Sequence, residues 1–176
     1  MSSGKENLQL EQYQLGVNNG KFKLEGRQEL QITTQNMAEQ AHLSIDILTY
    51  DLDAPVYDSR LFLDVIKRLA RKSHGLCLRV LLQNNEKVQK EGHRLLELTR
   101  RLTSKIEIRK PHPDFQALRE TFMVVDAQGY VRRPNHLRHD GEADFKAPLK
   151  ARELIQLYNE IWEASEPDSE LRRLYL

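Results

Sequence analysis

The sequence is poor in cysteine, lacks long apolar runs and shows no excess of one charge, and each lack closes off a class of function. Cys77 is the only cysteine, which excludes an internal disulfide and any CxxC metal site and fits a reducing compartment. It lies inside the run Leu76-Cys77-Leu78-Arg79-Val80-Leu81-Leu82, the setting of a small core side chain rather than of a nucleophile. No stretch approaches the ~18–20 apolar residues of a membrane span, and Met1 to Asn7 hold no apolar leader. The expectation is a cytoplasmic protein without membrane contact. Lys and Arg number 27 against 26 Asp and Glu, a net charge of +1. That balance gives no strong nucleic-acid signal and leaves only a local basic patch open.

What is present fits one α/β domain, since 176 residues can bury a core without metal or disulfide staples. Residues 1–21 read as an N-terminal extension or edge hairpin turning at Asn18-Asn19-Gly20, residues 22–165 as the domain, and 166–176 as a C-terminal tail. A helix is expected over 27–41, then a strand through Leu43, Ile45 and Ile47 that ends at Tyr50-Asp51. Asp58 and Ser59 can cap the next helix, where Leu61, Phe62, Val65, Ile66, Leu69 and Ala70 form an amphipathic stripe. Residues 76–82 are apolar on both faces, as an interior parallel strand should be. One helix over 86–102 and a short strand over 105–109 follow. Phe122 to Val125 then pairs through a turn with Tyr130-Val131, which makes the sheet mixed but mostly parallel, flanked by helices. A polar loop from Arg132 to Ala147 leads into a last helix carrying Leu154, Ile155, Tyr158, Ile161 and Trp162.

This order, together with Phe122-Met123-Val124-Val125-Asp126, resembles one half of the phospholipase D superfamily, with Asn135 and Trp162 in comparable places. That family carries HxKxxxxD. Counting back from Asp126, Arg119 stands at the histidine position and Thr121 at the lysine position. The resemblance is therefore to a degenerate single-motif half, as in uncharacterised bacterial domains. In the family one histidine attacks phosphorus and lysines hold phosphate oxygens. Arginine cannot replace that nucleophile because it stays protonated, and threonine removes a fixed cation. His112 is no rescue, since Asp114 follows it two residues on. The family's pairing of two single-motif copies implies that a homodimer is permitted.

The implied function is a non-catalytic binding or scaffold module, with a weak phosphate-type anion site at Arg119, Asp126, Arg133, Asn135 and His136. In it Asp126 would pair with one arginine and orient its fork. Alternatives are a divergent hydrolase or transferase using Asp126, His136 and His139, or a domain that docks onto a larger protein. No cofactor is expected. Asp51, Asp53 and Asp58 lack the glycine and terminal glutamate of a calcium loop, and His136 with His139 lacks a third ligand, so no metal is expected either. Lys67, Arg68, Arg71 and Lys72 read as the solvated face of an amphipathic helix.

Overall fold

A computed structural model of the chain describes residues 9–173. Strand β1 (Phe22–Glu25) leads to α1 (Arg27–Glu39), β2 (Ile45–Thr49), the single turn α2 (Ala54–Tyr57), α3 (Arg60–Lys72) and β3 (Leu78–Leu82). Helices α4 (Glu86–Glu91) and α5 (Arg94–Arg101) precede β4 (Ile106–Lys110). Then come β5 (Thr121–Val125), β6 (Gly129–Arg133), β7 (Asp140–Asp144), α6 (Pro148–Glu163), β8 (Glu166–Pro167) and α7 (Ser169–Arg173).

Among the described residues the strands form one mixed sheet in the order β1-β7-β6-β5-β2-β3-β4-β8. Its parallel share is smaller than the element order suggested: β2–β3 and β3–β4 are parallel, while the pairings of β1, β5, β6, β7 and β8 are antiparallel. The two helical crossovers produce the parallel part, and the short returns after β5 can only produce antiparallel neighbours. β3 is interior as expected, and β6 returns along β5 with Val125 opposite Gly129.

Alternation along the strands splits the core. Ile45 and Ile47 of β2, Val80 of β3, and Met123 and Val125 of β5 face α1, α3 and α5. Leu48, Leu81, Phe122 and Val124 face α6, where Leu154, Tyr158, Ile161 and Trp162 cover them. Inside this second layer Arg79 donates to Asp46 at 2.6 Å and lies over the Tyr158 ring at 4.8 Å. A buried carboxylate needs such a partner.

Several local expectations are corrected. Among the described residues no hairpin turns at Asn18-Asn19-Gly20: β1 is an edge strand whose partner is β7, and residues 1–8 of the expected N-terminal segment lie outside the described residues. The supposed long loop contains β7, whose polar sequence Asp140-Gly141-Glu142-Ala143-Asp144 hides a strand from any hydrophobic pattern. On α3, Ser59 alone is the cap, accepting from the Phe62 N–H at 3.2 Å. Leu61 is 56% exposed and Leu63 takes a core place instead. The helix expected over 86–102 is two, because Gly92 (φ 75°) ends α4 and His93 is extended. Residues 166–167 join the sheet at β4 and Leu171 is buried, so this part of the expected tail packs onto the domain; residues 174–176 lie outside the described residues.

Candidate functional site

The parallel strands β2 and β3 end on the same side of the sheet as β5 begins and β6 finishes, and loops from all four meet there. After β2, the Asn84 N–H donates to the Tyr50 carbonyl at 2.7 Å and the Asn84 side chain to the Tyr50 hydroxyl at 3.2 Å. Leu52 takes a positive φ of 55° and turns the chain, so that Asp53 comes back toward the strand ends. Thr121 and Arg133 stand opposite each other across β5–β6.

The loop after β6 is built around Arg133. Its guanidinium donates to the His136 carbonyl at 2.5 Å and to the Arg138 carbonyl at 2.7 Å. The His136 N–H donates to the Arg119 carbonyl at 2.8 Å, and its ring stacks on Tyr50 with centroids 3.9 Å apart and planes within 6°. Asn135 turns its side-chain oxygen back to accept the Leu137 N–H at 3.0 Å. Arg27, the first residue of α1, donates to His139 Nε2 at 3.4 Å. Since a guanidinium only donates, that nitrogen is an acceptor.

These loops enclose an open cleft of about 290 Å³ lined by Arg27, Thr49, Tyr50, Asp51, Asp53 and Lys87 together with Thr121, Arg133, His136 and His139. Lys87 reaches Asp51 at 3.8 Å. His136 titrates below the ordinary histidine value, first because burial disfavours its charged form and then because Arg133 and Arg119 repel a proton, against the opposing pull of Asp51. Below the cleft, Asp53, Thr121 and Arg133 also line a small cavity beside Tyr57, whose hydroxyl burial pushes strongly up.

Of the five residues expected to form the site, Arg133 and His136 line the cleft. Arg119 is exposed at its rim and joins through its carbonyl and its effect on His136. Asn135 is spent on the turn. Asp126 is elsewhere: it follows the last residue of β5, at the far end of the strand, and accepts N–H bonds from His42, Leu43 and Ser44 at 2.8, 2.8 and 2.9 Å. Among the described residues it pairs with no arginine. The grouping of Asp126 with His136 and His139 therefore does not form, because five strand residues, roughly 17 Å, separate Asp126 from the cleft end. Among the described residues no three His, Cys, Asp or Glu side chains are placed to hold a metal. No helix there is long and apolar enough to cross a membrane.

Arg27 and Lys87 went unnoticed in the sequence. A usable signal existed: each sits in the first turn of a helix, where the helix dipole disfavours a cation. A residue placed against a local rule points to a site.

Among solved structures, TrmBL2, an archaeal chromatin protein whose structure shows a novel mode of DNA binding, is similar over 94% of this chain at 14% identity and a TM-score of 0.62; the chain spans 61% of its length. Nuc from Salmonella typhimurium, a phospholipase D family member, is similar over 84% of this chain and 98% of its own, at 11% identity and a TM-score of 0.56. Phosphatidylserine synthase from Haemophilus influenzae Rd KW20 is similar over 89% of this chain and 41% of its own, at 12% identity and a TM-score of 0.57. At these identities the likeness is one of fold, and the fold is phospholipase D-like. No curated protein matches the sequence. A family model described as a domain of unknown function (DUF7931) matches residues 26–174.

Proposed function

The chain belongs to the DUF7931 family, and from that premise and the cleft we propose that it is a non-catalytic phospholipase D-like domain that binds a phosphate-type anion. The observation that carries this reading is the convergence of Arg27, Lys87 and Arg133 with His136 and His139 around one cleft. Three permanent cations from three separate elements can hold a dianion, and an imidazole beside them can donate as well. Asp51 and Asp53 in the same lining offset part of this field, so affinity is modest and falls with salt. Phosphoryl transfer by the route of phospholipase D needs a histidine nucleophile and a lysine at the start of β5, where Arg119 and Thr121 stand.

Phosphate, sulfate and a mononucleotide titrated into labelled protein should move the amides of residues 50–53, 87 and 133–139, and Arg27→Ala with Lys87→Ala should reduce the response several-fold. If no amide moves at about 10 mM ligand, where even a ~3 kcal/mol site is half filled, the reading fails. Purified protein should also hydrolyse aryl phosphodiesters no faster than an Arg119→Ala variant.

A further inference from the structure

Two neighbouring helices concentrate the positive charge of the chain. Helix α3 carries Arg60, Lys67, Arg68, Arg71 and Lys72 against Asp64, and α5 carries Arg94, Arg100 and Arg101 against Glu97. The whole chain has a net charge of only +1, so everything outside these helices is net acidic. Both helices turn their apolar sides (Phe62, Val65, Ile66 and Leu69; Leu95 and Leu96) into the same core, which forces the cations outward. Arg60, Lys67, Arg71, Lys72, Arg94, Arg100 and Arg101 are all exposed.

Between the helices runs an open groove of about 440 Å³, flanked by Arg60 and Lys67 with Asp64 between them on α3, and by Arg94 and Arg101 with Glu97 between them on α5, four cations against two carboxylates. In each pair the residues are two helical turns apart, roughly 10 Å along the axis, so the cations form two rows. Arg94 pairs with Asp58 at 3.0 Å and Lys67 with an exposed Asp64 at 3.4 Å. Arg68 instead donates to the carbonyls of Glu39 and Ala41. Among the described residues nothing pairs with the side chains of Arg60, Arg71, Lys72 or Arg101. Like charges crowded on one face repel each other, a cost that a bound polyanion offsets.

We infer that the outer face of α3 and α5 docks the phosphate backbone of a nucleic acid, at a surface separate from the cleft. An anionic membrane fits less well, because the apolar sides of both helices are consumed by the core and Leu61 is the large apolar side chain they leave exposed. An acidic protein also fits less well: Leu63 is buried and Leu98 half-buried, which leaves little apolar surface to form the centre of a protein interface. Rows of cations contact phosphates without reading bases, so binding is insensitive to sequence and driven by counterion release.

The test is fluorescence anisotropy of a labelled random-sequence duplex against the full chain across a salt series. A Kd of about 1–100 μM near physiological salt is expected. The Arg60→Gln/Lys67→Gln/Arg101→Gln variant should bind at least ~10-fold more weakly, with the slope of log K against log salt reduced by about 3. If that variant fails to fold by circular dichroism, Arg71→Gln/Lys72→Gln should still lower the slope by about 2. Duplex binding untouched by these substitutions overturns the inference, as does absence of binding at low salt or displacement of the duplex by phosphatidylglycerol vesicles. The phosphate-induced amide shifts of the cleft, followed in the same proteins, are a separate readout: their loss would count against the cleft and not against this face.

Discussion

At one end of β5 the Asp126 carboxylate accepts three backbone N–H groups, from His42, Leu43 and Ser44; at the other, Thr121 faces an open cleft and Arg119 projects into solvent. Both ends belong to the stretch that resembles a single catalytic motif. One end is closed and fully hydrogen-bonded, with Asp126 and Ala127 both at a φ of 54° in the turn. The other is a meeting place of side chains from four loops. The contrast separates two duties that a motif written as one string conceals. The aspartate ties the loop before β2 to the β5–β6 turn through backbone N–H groups, with arginine at position 119 and threonine at position 121. Its presence in a sequence is therefore no argument for chemistry at the opposite end.

The largest expected effect tests the closed end. Asp126→Ala removes three charge-assisted hydrogen bonds and places a β-carbon residue without a local hydrogen-bonding group at positive φ, so it should cost about 3 kcal/mol or more in urea unfolding. Asp126→Asn should recover part of this, since asparagine tolerates that conformation. Under conditions where the variant is folded, the anion response of the cleft should persist. A cost below ~1 kcal/mol would break the comparison.

Arg133→Ala comes next and strikes the open end. It leaves the His136 and Arg138 carbonyls without their donor, which should destabilise by about 1–2 kcal/mol and shift the amides of residues 134–139. The anion response should vanish with it, unlike for Asp126.

Acid should act on the open end in two opposite ways. His93 is buried at 5% exposure between the Leu52 carbonyl, 3.1 Å from Nε2, and the Leu95 N–H, which donates to Nδ1 at 3.2 Å. Only the neutral ring with its proton on Nε2 serves both partners. Burial lowers its pKa, the Asp58 carboxylate and the Leu52 hydrogen bond opposing and Arg94 assisting. A depressed histidine pKa means that the unfolded chain takes up the proton first. Stability is thus full above the ordinary value of about 6.5 and falls as pH drops from there through the folded-state pKa. His93→Gln should flatten that slope in pH-dependent unfolding. Over the same range His136 gains a proton and anion binding should tighten, because a bound anion favours the charged ring. Anion affinity that weakens on acidification would remove His136 from the site.

The smallest effect is expected at the rim. Arg119→Ala should leave stability within ~0.5 kcal/mol and weaken the anion by only about two- to threefold, since an exposed charge acts through screened solvent. A tenfold loss would move Arg119 from rim to centre.

Much of the fold was legible because its signals are local. The interior character of β3 is written in a run apolar on both faces, and the β5–β6 hairpin in an apolar strand meeting Ala127-Gln128-Gly129. β7 was illegible: its Ala143 and Asp144 are buried by neighbours rather than by hydrophobic pattern. The break at Gly92 was missed since the apolar spacing of Val88, Leu95 and Leu96 runs straight through it. The candidate site was half legible. Arg133 and His136 stand out in a charged segment, whereas Arg27 and Lys87 look like ordinary surface residues until the loops that carry them are brought to one edge.

By itself, then, the sequence determined the succession of elements, the solitary thiol in an apolar run and the arginine and threonine at positions 119 and 121, all of which depend on residue type and on spacing within a few positions. Tertiary structure decided which distant residues meet. The sheet order β1-β7-β6-β5-β2-β3-β4-β8 departs from chain order because both faces of the sheet must be covered and parallel neighbours need helical crossovers. That order sends Asp126 and the cleft to opposite ends of one strand. The same crossovers lay α3 beside α5, turning two unremarkable charged helix faces, far apart in sequence, into a single basic surface on a nearly neutral chain.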